Sequence, residues 1–312
     1  MLKILLKNNL TFIFYSLFKA CRPIQWTKNL LVFAVILFSF RLNTSILIGS
    51  FFAFISFCFI SSSIYLFNDI RDISKDKLHP SKRNRPIPKG DISVNLARYS
   101  SISLAVIGLL IGVLISQKFL IIIIIYSLIQ ILYCLKLKNE PLLDIICIAS
   151  GFLLRAISGV IASGLEFSPW FILTIGLLAL FLAVEKRKAE LIFYKETSIL
   201  TRDTLKKYSL PLLQRYESLL STSTFISYSL WAVGPSLNGA SSPWMLLSIP
   251  FVLLGIFRYL FISDTEVSER RVSKGIFIST ENPEQILIYD AGIRSLIISW
   301  ILAIILIGTF FH

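Results

Sequence analysis

The sequence is poor in histidine, in cysteine and in acidic residues. Only two histidines occur, and one is the last residue, His312, so a zinc site is not expected. Four cysteines, Cys21, Cys58, Cys134 and Cys147, lie in or beside apolar segments without a CxxC pair, which favours free buried thiols. Acidic residues number 18 against 31 lysines and arginines, which gives a net charge of +13.

The polar stretches are also too short to form a soluble domain with its own core. Hydrophobic residues make up 55% of the chain, charged residues only 16%, and the mean hydropathy is +0.76, whereas a soluble domain carries roughly 25% charged residues. Runs of about 20 apolar residues predict membrane-spanning helices. The sequence predicts a single all-α unit over residues 1–312, a polytopic membrane helical bundle of about nine transmembrane helices around a central cavity open to the cytoplasmic side. The predicted spans lie near 24–41, 46–67, 97–116, 118–135, 142–163, 168–185, 219–237, 243–263 and 293–311.

The positive charge is distributed unevenly among the connecting segments. One set of connectors is rich in lysine and arginine, whereas the opposite set holds only Arg41 and Lys118. This asymmetry places the N-terminus and the basic loops in the cytoplasm and the C-terminus outside, in a plasma (inner) membrane. The cytoplasmic loops are expected near 69–96, 186–217 and 264–292. No nucleic-acid partner is expected, because the basic residues belong to connectors of a membrane bundle.

The first 21 residues combine a basic start with an apolar middle. A signal peptide is one interpretation, but the segment has no clear small-residue cleavage site and polar residues interrupt its apolar run. We therefore expect residues 1–21 to form an amphipathic helix on the cytoplasmic membrane surface.

An acidic cluster closes the second predicted span. Asn68, Asp69, Asp72 and Asp76 follow the order N-D-x-x-D-x-x-x-D, and the i+3 and i+7 spacings stack the three aspartates on one face of a helix. Charged groups at a membrane edge are costly and usually functional. Mg²⁺ commonly bridges one or two carboxylates to substrate phosphates, so the cluster predicts a metal and pyrophosphate site. In the alternative, the acids belong to a solvated helix end and pair with Arg71, Lys75 and Lys77.

This acidic order resembles the first motif of the UbiA-type intramembrane prenyltransferase superfamily. In that superfamily the motif binds Mg²⁺ and the diphosphate of the donor, within a helical bundle around a central cavity. Four further segments resemble the decaprenyl-phosphate phosphoribosyltransferase branch: 22–29 (RPIQWTKN), 79–90 (HPSKRNRPIPKG), 185–191 (EKRKAEL) and 282–290 (NPEQILIYD).

The segment at the end of the sixth predicted span separates two branches of the superfamily. Aromatic prenyltransferases have a second D-x-x-x-D motif there, whereas this chain has Lys186 and Arg187 followed by Glu190. A basic pair facing one acidic set suits an anionic acceptor such as a polyprenyl phosphate. The alternative is that Lys186, Arg187 and Lys188 only enforce the membrane topology.

Ionisable residues also lie within the fifth predicted span. Asp144 and Arg155 are eleven residues apart, close to three helical turns, so they share one helix face. They are expected either to line the polar cavity or to form a buried structural pairing with other spans. Tyr133 and Lys136 lie just before this helix and are further candidates.

The resemblance implies transfer of a 5-phosphoribosyl group from phosphoribosyl diphosphate to a polyprenyl phosphate. It implies that Asp69 and Asp72 hold Mg²⁺, while Asp76 binds the metal through water or orients the ribose hydroxyls. Rival functions are an aromatic prenyltransferase, for example one acting on 4-hydroxybenzoate, and an anion transporter. The sequence leaves prenyl length and homo-oligomerisation open. The candidate substrate-binding residues are Lys28, Asn68, Lys82, Arg83, Arg85, Tyr133, Lys136, Asp144, Arg155, Lys186, Arg187 and Glu190.

Overall fold

The computed structural model is all-helical over the part of the chain that it describes, residues 10–39, 43–78, 82–166, 168–197, 202–237, 239–264, 286 and 289–310. A 3₁₀ segment, Pro23–Phe33, precedes the second α-helix, and another, Pro243–Ser248, leads into the eleventh. The α-helices are α1 Leu10–Ala20, α2 Ala34–Ser39, α3 Thr44–Arg71, α4 Ile73–Leu78, α5 Pro86–Lys89, α6 Val94–Ile115, α7 Gln117–Leu135, α8 Leu143–Ser163, α9 Pro169–Thr197, α10 Leu210–Ala232, α11 Ile249–Ser263 and α12 Ala291–Phe310.

Within the described residues, seven helical segments are long and apolar enough to cross a membrane. They are α3, α6, α7, α8, α9, α12 and the continuous segment Pro243–Ser263. Bulky apolar side chains such as Leu110 and Leu114 of α6 are exposed on the outside of the bundle. A large apolar exterior is costly in water, so this surface faces lipid.

The prediction of nine spans therefore differs from the structure at two places. The first predicted span, 24–41, is a 3₁₀ segment followed by the six-residue helix α2. Asn29 is buried at its middle and donates to Cys58 Sγ and Ser61 Oγ of α3. A polar side chain inside an apolar run is compatible with burial when neighbouring helices supply its hydrogen bonds, and this anchors an irregular segment in the bundle.

The second difference concerns the predicted span 219–237, which forms part of α10. This helix begins nine residues earlier, where the Ser209 side chain accepts from the backbone N–H of Leu212 and a proline occupies the first turn. Its early turns carry Arg215 and Glu217, and α10 is not among the helices that are long and apolar enough to cross a membrane. It ends at Ala232, close to Gly234 with its positive φ of 95°.

The remaining predicted spans coincide with helices in position. Ser116 separates α6 from α7, because it is extended and its hydroxyl accepts from the N–H of Phe119. Helix α9 continues twelve residues beyond the predicted end at 185 and reaches Thr197. The segment 185–191 is therefore held on a rigid helix instead of in a loop.

A glycine in α8 lets the 3₁₀ segment Pro23–Phe33 pack closely against this helix, backbone to backbone. A Cβ on Gly159 of α8 would lie 1.9 Å from the carbonyl oxygen of Val32. Similarly, the Ser56 hydroxyl of α3 donates to the carbonyl of Gly108 in α6 at 2.8 Å. Small residues at such crossings allow membrane helices to pack backbone to backbone.

Parts of several predictions lie outside the described residues. Residues 1–9, 79–81 and most of 264–292 belong to this group. Helix α1 matches the second half of the predicted interfacial helix and exposes Leu10, Phe14 and Phe18. Its position at a membrane surface and the orientation of the bundle stay predictions.

The glycine contact gives a test of the packing. Gly159→Ala is expected to lower the stability by about 2–3 kcal/mol, because the added methyl group meets backbone atoms that cannot move aside. Gly255→Ala in α11 is the matched control, since nothing lies within 4 Å of its Cβ position and alanine favours a helix over glycine. Thermal unfolding in detergent measures both variants, and equal melting temperatures would contradict this packing.

Candidate active site

The acidic cluster lies where α3 ends and α4 begins. Asp69 and Asp76 are buried, with 1% and 5% of their surface exposed, whereas Asp72 is partly exposed at the helix end. Asn68 is half-buried beside them. The structure brings Asp69 and Asp76 together and turns Asp72 towards a different neighbour, so the expected stack of three aspartates on one face is wrong in this respect.

One arginine connects the two buried carboxylates. Nη1 of Arg85 donates to Oδ1 of Asp69 at 3.1 Å and to Oδ2 of Asp76 at 2.7 Å. Arg22 also forms an ion pair with Asp69, and its guanidinium lies 5.0 Å from the ring centroid of Tyr65. The backbone of Arg22 is left-handed, with φ at 55°. Such a conformation is uncommon outside glycine, and Arg22 adopts it where the chain turns from α1 into the 3₁₀ segment.

Asp72 pairs with a lysine from the α7–α8 connection. Nζ of Lys138 lies 2.7 Å from Oδ2 and 3.0 Å from Oδ1 of Asp72. Lys136, which the sequence favoured, is exposed at the end of α7. Among the described residues, the aspartates therefore pair with Arg22, Arg85 and Lys138. The alternative of a solvated helix end expected Arg71, Lys75 and Lys77 as partners instead.

The donor set fits a divalent ion bound by few protein ligands. Asp69 and Asp76 both contact Nη1 of Arg85, so the two carboxylates lie close enough to share one cation. No group of three or more metal-ligating side chains occurs within the described residues. Mg²⁺ commonly keeps several waters and binds through one or two carboxylates plus phosphate oxygens, which agrees with this pair.

The facing wall is built around Arg187 of α9, which is fully buried. Its Nε lies 2.8 Å from Oδ2 of Asp144, and Nη1 forms an ion pair with Glu190. Nη2 donates to the hydroxyl of Tyr133 at 3.0 Å. Arg202 joins this group, since its Nη1 donates to the same hydroxyl at 2.7 Å and its Nε lies 3.5 Å from Glu190.

Asp144 and Arg155 separate into two different networks. Asp144 accepts from the Tyr208 hydroxyl at 2.7 Å and pairs with Arg187. Arg155 is buried and donates to Asn29 at 2.7 Å and to the Tyr126 hydroxyl at 2.6 Å. Asp144 thus orients the basic wall, while the contacts of Arg155 agree with the structural alternative.

Lys82 lies between the two walls. The charged neighbours of Lys82 include Asp76 on the acidic side and Glu190 and Arg202 on the basic side. Burial, and then the positive charges of Arg202 and Arg85, lower the pKa of Lys82. Burial and the neighbouring Arg22 likewise lower the pKa of Arg85.

The other predicted basic residues take different positions around this group. Lys186 has Lys28, Glu190, Arg187 and Arg202 as its charged neighbours. Nζ of Lys28 lies 2.5 Å from the side-chain oxygen of Gln25. Arg83 is exposed.

Lys188 points away from this group. It pairs with Glu185 at 2.8 Å and with Glu217 of α10 at 2.7 Å. The predicted basic pair was Lys186 and Arg187, and these contacts of Lys188 agree with its absence from that pair. Asp290, in the C-terminal segment quoted for the resemblance, pairs with Arg258 and accepts from the N–H of Ile293, so it caps α12.

Sequence reasoning missed four residues at the two walls. Arg22 belongs to a quoted motif, and Lys138 lies two residues from a chosen candidate, so both were within reach of the motif analysis. Arg202 and Tyr208 belong to the connection between α9 and α10, and only the fold brings them to the site.

Comparisons with known proteins agree with this architecture. A model of the UbiA prenyltransferase family matches residues 29–280. The chain belongs to the UbiA prenyltransferase family. A solved UbiA homolog from Archaeoglobus fulgidus, bound to GPP and Mg²⁺, has a similar fold, with a TM-score of 0.68 at 20% identity over 93% of this chain and 99% of that one.

Two of the curated relatives are both named decaprenyl-phosphate phosphoribosyltransferase. The decaprenyl-phosphate phosphoribosyltransferase of Mycolicibacterium smegmatis is 34% identical over 92% of this chain and 90% of its own length. The protein of that name from Corynebacterium glutamicum is 32% identical over 93% of this chain and 86% of its own length. The resemblance to the UbiA family and to this branch, inferred from the motifs, is confirmed.

Arg85 provides a test of the acidic pair. Arg85→Ala leaves Asp69 and Asp76 without their shared cation, so the protein is expected to lose about 3 kcal/mol of stability without metal. Added Mg²⁺ should then raise its melting temperature more than that of the wild type, because metal binding no longer competes with the guanidinium.

Lys89→Ala is the matched control for Arg85→Ala. Lys89 is exposed in the same loop and pairs with Asp91 at 3.0 Å, so its removal should change neither quantity. An equal Mg²⁺-induced shift in the wild type and Arg85→Ala would rule out the acidic pair as the metal site.

Proposed function

We propose that this UbiA-family protein transfers the 5-phosphoribosyl group of phosphoribosyl diphosphate to a polyprenyl phosphate of decaprenyl-like length, with release of pyrophosphate. The observation that carries the proposal is the pair of unlike walls. One wall holds Asp69 and Asp76, and the other is built on Arg187 and Arg202. The relatives named for this reaction span almost the whole chain.

The acidic wall suits the diphosphate end of the donor. Asp69, Asp76 and the neighbouring Asn68 and Asp72 would hold Mg²⁺, which when bound neutralises charge on a departing pyrophosphate. Arg85, released from the carboxylates, lies within reach of the same phosphates, and arginine is suited to bidentate phosphate contacts. Lys82 adds a positive charge between the two walls.

The basic wall suits the second anion. In the reaction, the C1–O bond to the diphosphate breaks and a bond forms between C1 and an oxygen of the lipid phosphate. That oxygen is already anionic at neutral pH, so no strong general base is required. Arg187, Arg202 and Lys186 bring together two anions that repel each other, and such positioning is a large part of the rate enhancement.

The same wall argues against prenyl diphosphate as the donor. A second metal-binding acidic set would need carboxylates at the end of α9. Glu190 is neutralised there by Arg187 and Arg202, and Glu185 pairs with Lys188 on another face of the helix. The aromatic prenyltransferase alternative therefore lacks its second group of ligands among the described residues.

The proposal includes a cellular arrangement. The reaction takes place at the cytoplasmic side of the plasma membrane, where the soluble donor is available. The polyprenyl chain stays among the apolar helices and enters from the lipid. The basic loops follow the distribution expected for cytoplasmic connectors.

A transfer assay tests the proposal. Purified protein is given phosphoribosyl diphosphate labelled in the ribose, Mg²⁺ and a series of polyprenyl phosphates, and the label in the lipid fraction is counted. We expect Mg²⁺-dependent labelling of the lipid and loss of roughly a hundredfold in rate for Asp69→Asn, since that change removes charge at the metal site. Asp91→Asn, which affects an acid paired only with the exposed Lys89 among its described contacts, should keep its activity.

The same assay separates the rivals. Label that stays out of the lipid fraction, together with prenyl transfer from a prenyl diphosphate to 4-hydroxybenzoate, would replace the proposal by the aromatic alternative. Uptake of labelled donor into vesicles without turnover would indicate a transporter.

A further inference from the structure

The backbone makes a sharp turn just before α8. Leu142 has a φ of 65° and a ψ of −45°, and the N–H of Leu143 donates to the carbonyl of Pro141 at 2.8 Å. These three residues form a γ-turn with a positive φ at its centre, which is the rare and strained form of this turn. The Leu142 side chain is 50% exposed, so its own packing does not explain the conformation.

The hydroxyl of Tyr208 holds this turn. Tyr208 lies in the connection between α9 and α10 and is buried. Its hydroxyl accepts from the N–H of Leu142 at 2.8 Å and donates to Oδ1 of Asp144 at 2.7 Å. Burial, and the hydrogen bond to Asp144, raise the pKa of Tyr208, so the hydroxyl stays a donor at neutral pH. One oxygen atom thus fixes the central residue of the strained turn and the carboxylate that follows it.

Asp144 passes this constraint on to the basic wall. Its Oδ2 lies 2.8 Å from Nε of the fully buried Arg187. The other two nitrogens of this guanidinium contact Glu190 and Tyr133. Because arginine presents its donors in a rigid planar fork, the position of the Asp144 carboxylate determines how the fork of Arg187 is oriented. A shift in the first turn of α8 would therefore turn the guanidinium.

The connection between α9 and α10 also contacts the chain before the turn. Oγ1 of the buried Thr204 donates to the carbonyl of Lys138 at 3.4 Å, and the Lys138 side chain pairs with Asp72 of the acidic cluster. The connection between α7 and α8 therefore carries side chains for both sides of the site, and Thr204 and Tyr208 hold it from the same neighbouring segment.

We propose that Tyr208 is a positioning residue, which holds the strained turn at Leu142 and the Asp144 carboxylate and through them orients Arg187 towards the anion at the basic wall. A strained backbone persists only where its surroundings determine it, and such backbone clusters at functional sites. Both hydrogen-bonding roles of the Tyr208 hydroxyl are filled by the protein, so it acts without touching a substrate. Only the identity of the anion, the phosphate of the lipid acceptor, rests on the proposed function.

The test compares Tyr208→Phe with Tyr228→Phe. Tyr228 is a matched control, because it is also buried, its hydroxyl contacts both Ser248 and Trp300, and none of its described contacts involves either wall. Phenylalanine keeps each ring in its apolar cluster, so both variants are expected to fold, and melting temperatures in detergent check this.

Hydrogen exchange in the protein without ligand measures the turn itself. We expect the amides of residues 142–144 to exchange about tenfold faster in Tyr208→Phe, because the N–H of Leu142 loses its acceptor. Tyr228→Phe should exchange like the wild type in this segment. Equal exchange in Tyr208→Phe and the wild type overturns the proposal.

Isothermal titration of farnesyl phosphate, a short prenyl monophosphate, measures the effect on the basic wall without any transfer. Tyr208→Phe is expected to bind it about tenfold more weakly, since a small misplacement of a positioning group is costly, whereas Tyr228→Phe should bind it like the wild type. In the Asp144→Asn background, Tyr208→Phe should cause no further loss, because Tyr208 acts through Asp144.

The outcomes separate this proposal from the proposed function. Equal affinity of Tyr208→Phe and the wild type, or a tenfold loss that persists in the Asp144→Asn background, overturns the positioning role. Absence of binding by the wild type would contradict the proposed function instead, and the exchange result would then decide this proposal alone.

Discussion

A single nitrogen atom of Arg85 holds together the two buried carboxylates on which the acidic wall depends. Asp69 lies in the last turn of a membrane helix and Asp76 belongs to the short helix that follows, so two like charges are buried near each other. Such burial is tolerated only when charges are paired and hydrogen-bonded. The loop that contains Arg85 therefore has to fold back onto the helix end, and this places Lys82 between the two walls.

The same constraint shapes the opposite wall. Arg187 is fully buried, and Asp144, Glu190 and Tyr133 surround its guanidinium. Tyr208 and Arg202 reach the group from the next connection and complete it. In the proposed reaction, this difference in sign between the walls assigns them to two different anions, one held through a metal and one held by the basic side chains directly.

Much of the fold could be predicted from the sequence because membrane spans depend on local composition. The boundary between α6 and α7 follows from one serine, and the end of α3 from its acidic run. The start of the helix Leu210–Ala232 was predicted nine residues too late. Its cap and its proline precede turns that contain polar residues, and a search for apolar runs leaves such turns out. The 3₁₀ segment could not be foreseen, since it depends on Asn29 reaching across to Arg155, Cys58 and Ser61.

The candidate site divides along similar lines. Motif order located Asp69, Asp76, Arg85 and Arg187, because their residue types and spacing are themselves informative. Spacing along one helix failed for Asp72. For Asp144 and Arg155 it left two alternatives open, and it could not identify their partners, which come from other segments. In the sequence, Arg202 and Lys138 look like any other basic residues of a connecting segment. Only the tertiary packing shows that they belong to the site.

An experimental structure with phosphoribosyl diphosphate, Mg²⁺ and a polyprenyl phosphate analogue bound is the most direct measurement of the two-wall arrangement. The predicted result is metal and diphosphate density at Asp69 and Asp76, with Arg85 moved from between them, and lipid phosphate density beside Tyr133 and Arg202. Density for the diphosphate at Arg187 and Arg202, with the lipid phosphate on the aspartates, would contradict it.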